Sequence, residues 1–235
     1  MCIRDRVGVV FVGPRIGFLK EAMPPHSLAL VLVGAGLLWV GWFGFNAGSA
    51  LEANGLAAVA MLNTFVAPAA GMLGWMGVER YRSGKPSLLG GASGAVAGLV
   101  AVTPAAGVSG PLGAMLLGLA ASIACYSFIA LAKHRLRFDD SLDVFGIHGL
   151  GGIVGSLGTA IVALPAIGGH GGEDYALVAQ LGRQLGAVLL AIGWSAAGSA
   201  ICFGLARLAV PLRRDGDEER EGLDLSDHGE RAYNP

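Results

Sequence analysis

The stretch Ser141–Leu164, "SLDVFGIHGLGGIVGSLGTAIVAL", decides how this chain is to be read. It is long and apolar enough to cross about 30 Å of hydrocarbon as a helix, yet it carries a histidine, His148, among glycines. Asp139, Asp140 and Asp143 stand at its start, where Ser141 or Asp143 is placed to cap a helix and carboxylates favour its positive end. His148 follows Asp143 by five residues, about 7 Å deeper at 1.5 Å per residue. On α-helical spacing its neighbours at i−4, i+4 and i+7 are Val144, Gly152 and Gly155. An ionisable residue at that depth faces a bundle interior or a cavity rather than lipid. Two roles fit it: a functional group on a pathway, or a core imidazole bonded to a backbone carbonyl.

The same reading extends outward. The chain has 235 residues, of which 54% are hydrophobic and only 14% charged, well below the charged fraction of a soluble domain; its mean hydropathy is +0.62. Charges gather between apolar runs, which defines an all-α, polytopic membrane helix bundle. Six spans are predicted: Ser27–Leu51, Gly55–Val78, Ser87–Thr103, Pro111–Lys133, Ser141–Leu164 and Tyr175–Val210. A segment of residues 1–26 precedes this 27–210 bundle, and a tail of residues 211–235 follows it. The opening "MCIRDR" matches nothing downstream and reads as partly foreign to the native chain.

Lysine and arginine lie before the first span (Arg15, Lys20), after the second (Arg80, Arg82, Lys85), after the fourth (Lys133, Arg135, Arg137) and after the sixth (Arg213, Arg214). The loops "EANG", "PAAGVSG" and "ALPAIGGHGGEDY" have none. Short basic loops stay in the cytoplasm, so both termini are predicted to be cytoplasmic in an inner-membrane, multi-pass protein. Gly90, Gly94 and Gly98, and Gly151 and Gly155, recur at four-residue spacing that lets helix backbones approach closely.

Leu38, Trp42, Phe45 and Ser49 fall on one stripe of the first span, at i, i+4, i+7 and i+11. The stripe fits ordinary core packing. Beside a buried histidine it also fits the wall of a narrow apolar path ending in a hydroxyl. Cys2, Cys125 and Cys202 are scattered, as packing residues are. No His/Cys/Asp spacing suggests a metal or cofactor site, no nucleophile–base pair suggests an enzyme, and no basic stripe suggests nucleic acid. His26, His134 and His170 sit in loops and read as solvated or capping groups.

The segments "GWFGFNAGSAL" (Gly41–Leu51), "GKPSLLGGASGAVAGLVAVTPAAG" (Gly84–Gly107), "DVFGIHGLGGIVG" (Asp143–Gly155) and "EREGLDLSDHGERAY" (Glu219–Tyr233) resemble the ammonium transporter family (Amt/Mep/Rh), on its bacterial Amt branch. The resemblance runs from about Gly13 onward. It implies an eleven-helix fold with two inverted five-helix repeats, trimers with one pore per subunit, and ammonium or ammonia as the transported species. It matches His148 to the second of two pore histidines, Phe45 to one ring of a phenylalanine gate and Ser49 to the hydroxyl of an outer ammonium site. Leu38, Trp42 and Val144 match pore-lining positions.

The six spans correspond to the second repeat and the last helix, so the chain reads as a fragment lacking the first five helices, with Val7–Gly13 the remnant of the fifth. The tail is hydrophilic and on composition solvated. By resemblance it folds against the cytoplasmic face, where a PII-type signalling protein docks in related transporters. Gly222, Leu223, Asp224, His228, Gly229, Glu230 and Tyr233 match its regulatory pattern. Three functions follow: ammonium transport with deprotonation before passage, an ammonium-sensing module, or an inert truncated product.

Overall fold

The computed structural model of the protein describes residues 2–172 and 174–231. Helices α1 (Cys2–Val12), α2 (Leu28–Asn46), α3 (Gly55–Ser83), α4 (Leu88–Val102), α5 (Pro111–His134), α6 (Gly151–Val162) and α7 (Leu177–Ala209) are followed by two short ones, α8 (Gly216–Glu221) and α9 (Leu223–His228). A π-helical turn, Phe145–Leu150, leads into α6. The described residues contain no strand. Among the described residues, six segments are long and apolar enough to cross a membrane: Leu28–Ala50, Gly55–Ser83, Leu88–Ala105, Pro111–Lys133, Phe145–Val162 and Leu177–Ala209.

Local chemistry sets the boundaries. Ser27 Oγ accepts from Leu30 N, Asn54 Oδ1 from Ala57 N and Ser87 Oγ from Gly90 N, so each side chain satisfies an N-terminal amide of its helix. Glycine ends α3 because Gly84 takes φ +76°. Pro111, with no N–H to lose, opens α5.

Helix α3 packs along both α4 and α5, while α2 lies on α4 and α3, α6 on α4, α5 and α7, and α1 on α7. The core is built of small residues: Ala67, Ala97, Ala101, Ala105, Ala114 and Ala121 are fully buried. In lipid, where apolar area alone does not drive helices together, close packing and backbone approach do. The Gly90–Gly94–Gly98 stripe faces α3. A Cβ at Gly94 would stand 2.6 Å from Gly71 O, and one at Gly98 would stand 2.6 Å from Ala67 O. Gly155 lies equally close to the backbone of Ala101.

Pro68 is buried within α3 and has no N–H for the carbonyl of Thr64, four residues back. That carbonyl accepts instead from Trp39 Nε1 on α2, at 3.0 Å. Asn46 Nδ2 donates to Thr64 Oγ1 at 2.9 Å, and the hydroxyl passes its own proton to Ala60 O. A backbone group that lipid cannot solvate thus becomes the anchor that holds α2.

At the end of the bundle where the chain enters the π turn, Arg15 grips the buried Asp139 through its backbone N–H (2.7 Å) and its guanidinium (2.6 Å). Arg213 pairs with Glu219 at 2.7 Å and donates to the carbonyls of Val12 and Pro14. Burial alone would push the Asp139 carboxyl up; the Arg15 hydrogen bonds overcome it and hold the group below the usual carboxylate range. Because the folded value is the lower one, this stabilisation is complete above the unfolded-state value and disappears as pH falls through the folded one. Removing Arg15 with alanine is expected to cost about 2 kcal/mol at neutral pH and to shrink the acid-induced drop in melting temperature, read by thermal unfolding in detergent, because burial then holds the Asp139 carboxyl up and its protonation relieves the unpaired charge. An identical acid profile in the variant would show that the pair contributes nothing.

Candidate functional site

The π turn gives the site its geometry. Asp143 adopts φ +55°, which swings the chain inward, and the Asp140 carboxylate accepts from Gly146 N at 3.0 Å. Asp140 is therefore the capping group. Ser141, in the turn before the helix, does not cap it; Asp143 instead meets Lys133 Nζ at 2.6 Å. Burial pushes the Asp140 carboxyl up, against the pull of those backbone amides. From Phe145 to Leu150 the helix is one residue wider per turn, so the i−4 and i+4 spacing drawn from the sequence no longer describes the surroundings of His148. Gly146 and Gly149 make the wide turn possible: a Cβ at Gly146 would meet the side chain of Ile129, and one at Gly149 the ring of Phe145 at 2.9 Å.

His148 stacks on Trp42 of α2, with ring centroids 6.5 Å apart and planes at 23°. Trp42 in turn meets Phe45 edge-on at 6.2 Å and donates its indole N–H to Thr103 Oγ1 at 2.8 Å. Ser49 follows the end of α2 in a 3-10 turn, Gly48–Ala50, and donates its hydroxyl proton to Phe45 O at 2.6 Å. Its oxygen keeps lone pairs free to accept. Phe45 and Ser49 border a cavity of about 190 Å³ with Asn46, Thr103 and Ala106.

Val144 precedes the π turn and lines a separate cavity of about 200 Å³ with Val9, Phe138 and Asp140. Leu38 lies one turn from Trp42 on α2 and is 52% exposed; Phe45 is 63% exposed. The fold thus gathers His148, Trp42, Phe45 and Ser49 into one aromatic and hydroxyl-lined strip. Val144 lies toward the Asp140 end, and Leu38 stands on the open face of α2. Thr103, Asn46 and Trp39 were not singled out by the sequence, and Asp140 was noted only as one of three carboxylates at the start of the span. Pro68, inside a predicted span, was a readable sign of a free carbonyl in need of a donor; nothing comparable marked Thr103.

The tail positions lie apart from this strip. Gly222 links α8 to α9 at φ +105°, and Gly229 ends α9 at φ +66°, conformations that favour glycine. Leu223 and Asp224 open α9 and His228 closes it. Glu230 N donates to Asp224 O at 3.0 Å, and Arg214 pairs with Asp227. The described part of the tail folds into two short, largely exposed helices. Tyr233 lies outside the described residues.

Six hydrophobic helices among the described residues, around a small-residue core and with a half-buried imidazole stacked on a half-buried indole, define a multi-pass α-helical membrane protein. The model of the Ammonium Transporter Family matches residues 7–233, and the chain belongs to that family. The ammonium transporter of Aquifex aeolicus is 46% identical over 232 residues, covering 99% of this chain and 54% of that protein. The ammonium transporter of Mycobacterium bovis is 42% identical, covering 95% of this chain and 48% of its own length. This chain therefore spans about half the length of the curated relatives it matches. Among solved structures, one described as a sensor Amt protein superposes with a TM-score of 0.87 at 27% identity, covering 96% of this chain and 56% of that one. Mep2 of Saccharomyces cerevisiae superposes at 0.80 with 33% identity, covering 92% of this chain and 52% of that one.

Proposed function

We propose that the chain supplies the second-repeat wall of an ammonium/ammonia pathway across the inner membrane, acting with a first five-helix repeat in a trimer whose termini face the cytoplasm. The observation that carries this reading is the stacking of His148 on Trp42, in line with Phe45 and Ser49, within a member of this family.

Ammonium and potassium are alike in charge and size, so discrimination must use what ammonium alone has: N–H donors and a removable proton. At the Ser49 end the hydroxyl oxygen, its own proton committed to Phe45 O, accepts from ammonium, while the exposed Phe45 ring offers cation–π attraction. Beyond it the strip is apolar. A bare cation there is far costlier than neutral ammonia, so the proton leaves nitrogen before passage. His148 then accepts from ammonia or donates to it according to tautomer. Gly222, Leu223, Asp224, His228, Gly229, Glu230 and Tyr233 are the regulatory residues of the tail, with a PII-type protein as their partner.

The structural likeness to a sensor Amt protein favours sensing as the second reading. Growth on limiting ammonium in a strain lacking its own transporters separates them. The protein expressed from its complete reading frame is expected to restore growth. Absence of rescue by correctly inserted protein that still retains a PII-type partner would overturn transport in favour of sensing.

A further inference from the structure

We infer that Thr103 is a positioning residue for the pathway: its hydroxyl consumes the indole N–H of Trp42 and fixes that ring against His148. This rests on the transport reading above and adds to it a residue outside the strip. The bond runs in one direction only. Thr103 N–H bonds to Val100 O, so α4 tightens in its last turn and leaves Leu99 O to accept the Thr103 hydroxyl proton at 2.7 Å. With its donor spent, Thr103 Oγ1 can only accept from Trp42 Nε1, at 2.8 Å. The relay Trp42 → Thr103 → Leu99 ends on main chain that packs in the core, where Leu99, Val102 and Ala105 are fully buried.

Two consequences follow for the strip. The indole, which is free to turn about two side-chain bonds, is held with its plane 23° from that of His148. Its single polar atom is also removed from the path. A free indole N–H beside an apolar conduit would bind the lone pair of ammonia or recruit water, and either would compete with His148 for the same molecule. Satisfied by Thr103, Trp42 presents carbon alone. Thr103 also borders the cavity of Phe45 and Ser49, so the same hydroxyl joins the outer cavity to the histidine wall.

Thr103→Val keeps the shape and removes the acceptor, whereas Thr103→Ser keeps the hydroxyl. In the protein expressed from its complete reading frame and reconstituted in lipid, the Trp42 indole proton is assigned by its disappearance in Trp42→Phe. Its solvent exchange in Thr103→Val is expected to be roughly tenfold faster, the ratio set by the loss of one net hydrogen bond. Ammonium selectivity over potassium is expected to fall, and Thr103→Ser to restore both properties. In a Trp42→Phe background Thr103→Val is expected to add nothing, which separates positioning from general damage to the fold. Unchanged indole exchange, or faster exchange with parental uptake and selectivity, would overturn the role of Thr103. Parental uptake in His148→Ala would overturn the transport reading itself; a His148-dependent flux indifferent to Thr103→Val would overturn only this inference.

Discussion

Gly98→Leu is expected to leave almost no correctly packed protein, although its helices will still form. A Cβ at Gly98 would lie 2.6 Å from Ala67 O, 2.7 Å from Pro68 Cα and 2.9 Å from Ala67 C. Every one of these atoms is main chain, so no side chain can rotate away. They belong to the most enclosed part of α3, where Ala67 and Pro68 are fully buried. Alanine alone should cost about 1–3 kcal/mol through overpacking, and leucine must drive α4 off α3. Thermal unfolding in detergent and gel-filtration profile give the readout. Gly193→Ala on α7 is the control, because a Cβ there meets nothing within 4 Å; it should be neutral or slightly stabilising, since alanine is the better helix former. A Gly98→Ala protein melting with the parent would show that the α3–α4 approach is looser than described. The effect reaches the site, since α4 is the helix that delivers Thr103 to Trp42.

The spans were legible because lipid imposes length and hydropathy on each helix separately, and no distant partner is needed to read them. Ser87–Thr103 was expected and Leu88–Ala105 is found. The glycine stripes were legible for the same reason: spacing alone puts Gly90, Gly94 and Gly98 on one face. The end of the first span was less so. The helix stops at Asn46 and Ser49 sits in a 3-10 turn, yet the i+4 relation to Phe45 survives through the Ser49 hydroxyl.

What the sequence hid depends on contacts between residues far apart. Three aspartates precede the π turn, and the sequence pointed to Ser141 or Asp143 as its cap; the choice of Asp140 follows from Arg15 holding Asp139 and Lys133 holding Asp143. The wide turn itself then shifts His148 relative to an ideal helix. The stripe on the first span and the histidine on the fifth each suggested a wall, but the angle between their rings is set by Thr103, whose side chain has no sequence signal beyond being a hydroxyl in an apolar run. The two short helices of the tail were not legible because their order comes from ion pairs and two positive-φ glycines rather than from apolar burial.

His148→Ala is expected to lower ammonium-evoked current by about 100-fold or more, the scale on which a positioned acid–base group acts, in protein expressed from its complete reading frame and reconstituted in liposomes. The imidazole is the one titratable side chain in the strip formed with Trp42, Phe45 and Ser49. Alanine removes both of its nitrogens and bares the indole face, so ammonia crossing there loses its hydrogen-bond partner while the hydrophobic cost of the passage stays. Folding should survive, because His148 is only half-buried and the turn that carries it is held by Asp140 and the neighbouring glycines. His148→Gln divides the mechanism further. Glutamine keeps a donor and an acceptor but does not titrate near neutral pH. Current lost with uncharged ammonia flux retained assigns His148 to carrying the proton; current and flux both retained assign it to guiding the neutral molecule. Parental current and selectivity in His148→Ala would remove the imidazole from transport altogether and leave its stacking on Trp42 as core packing.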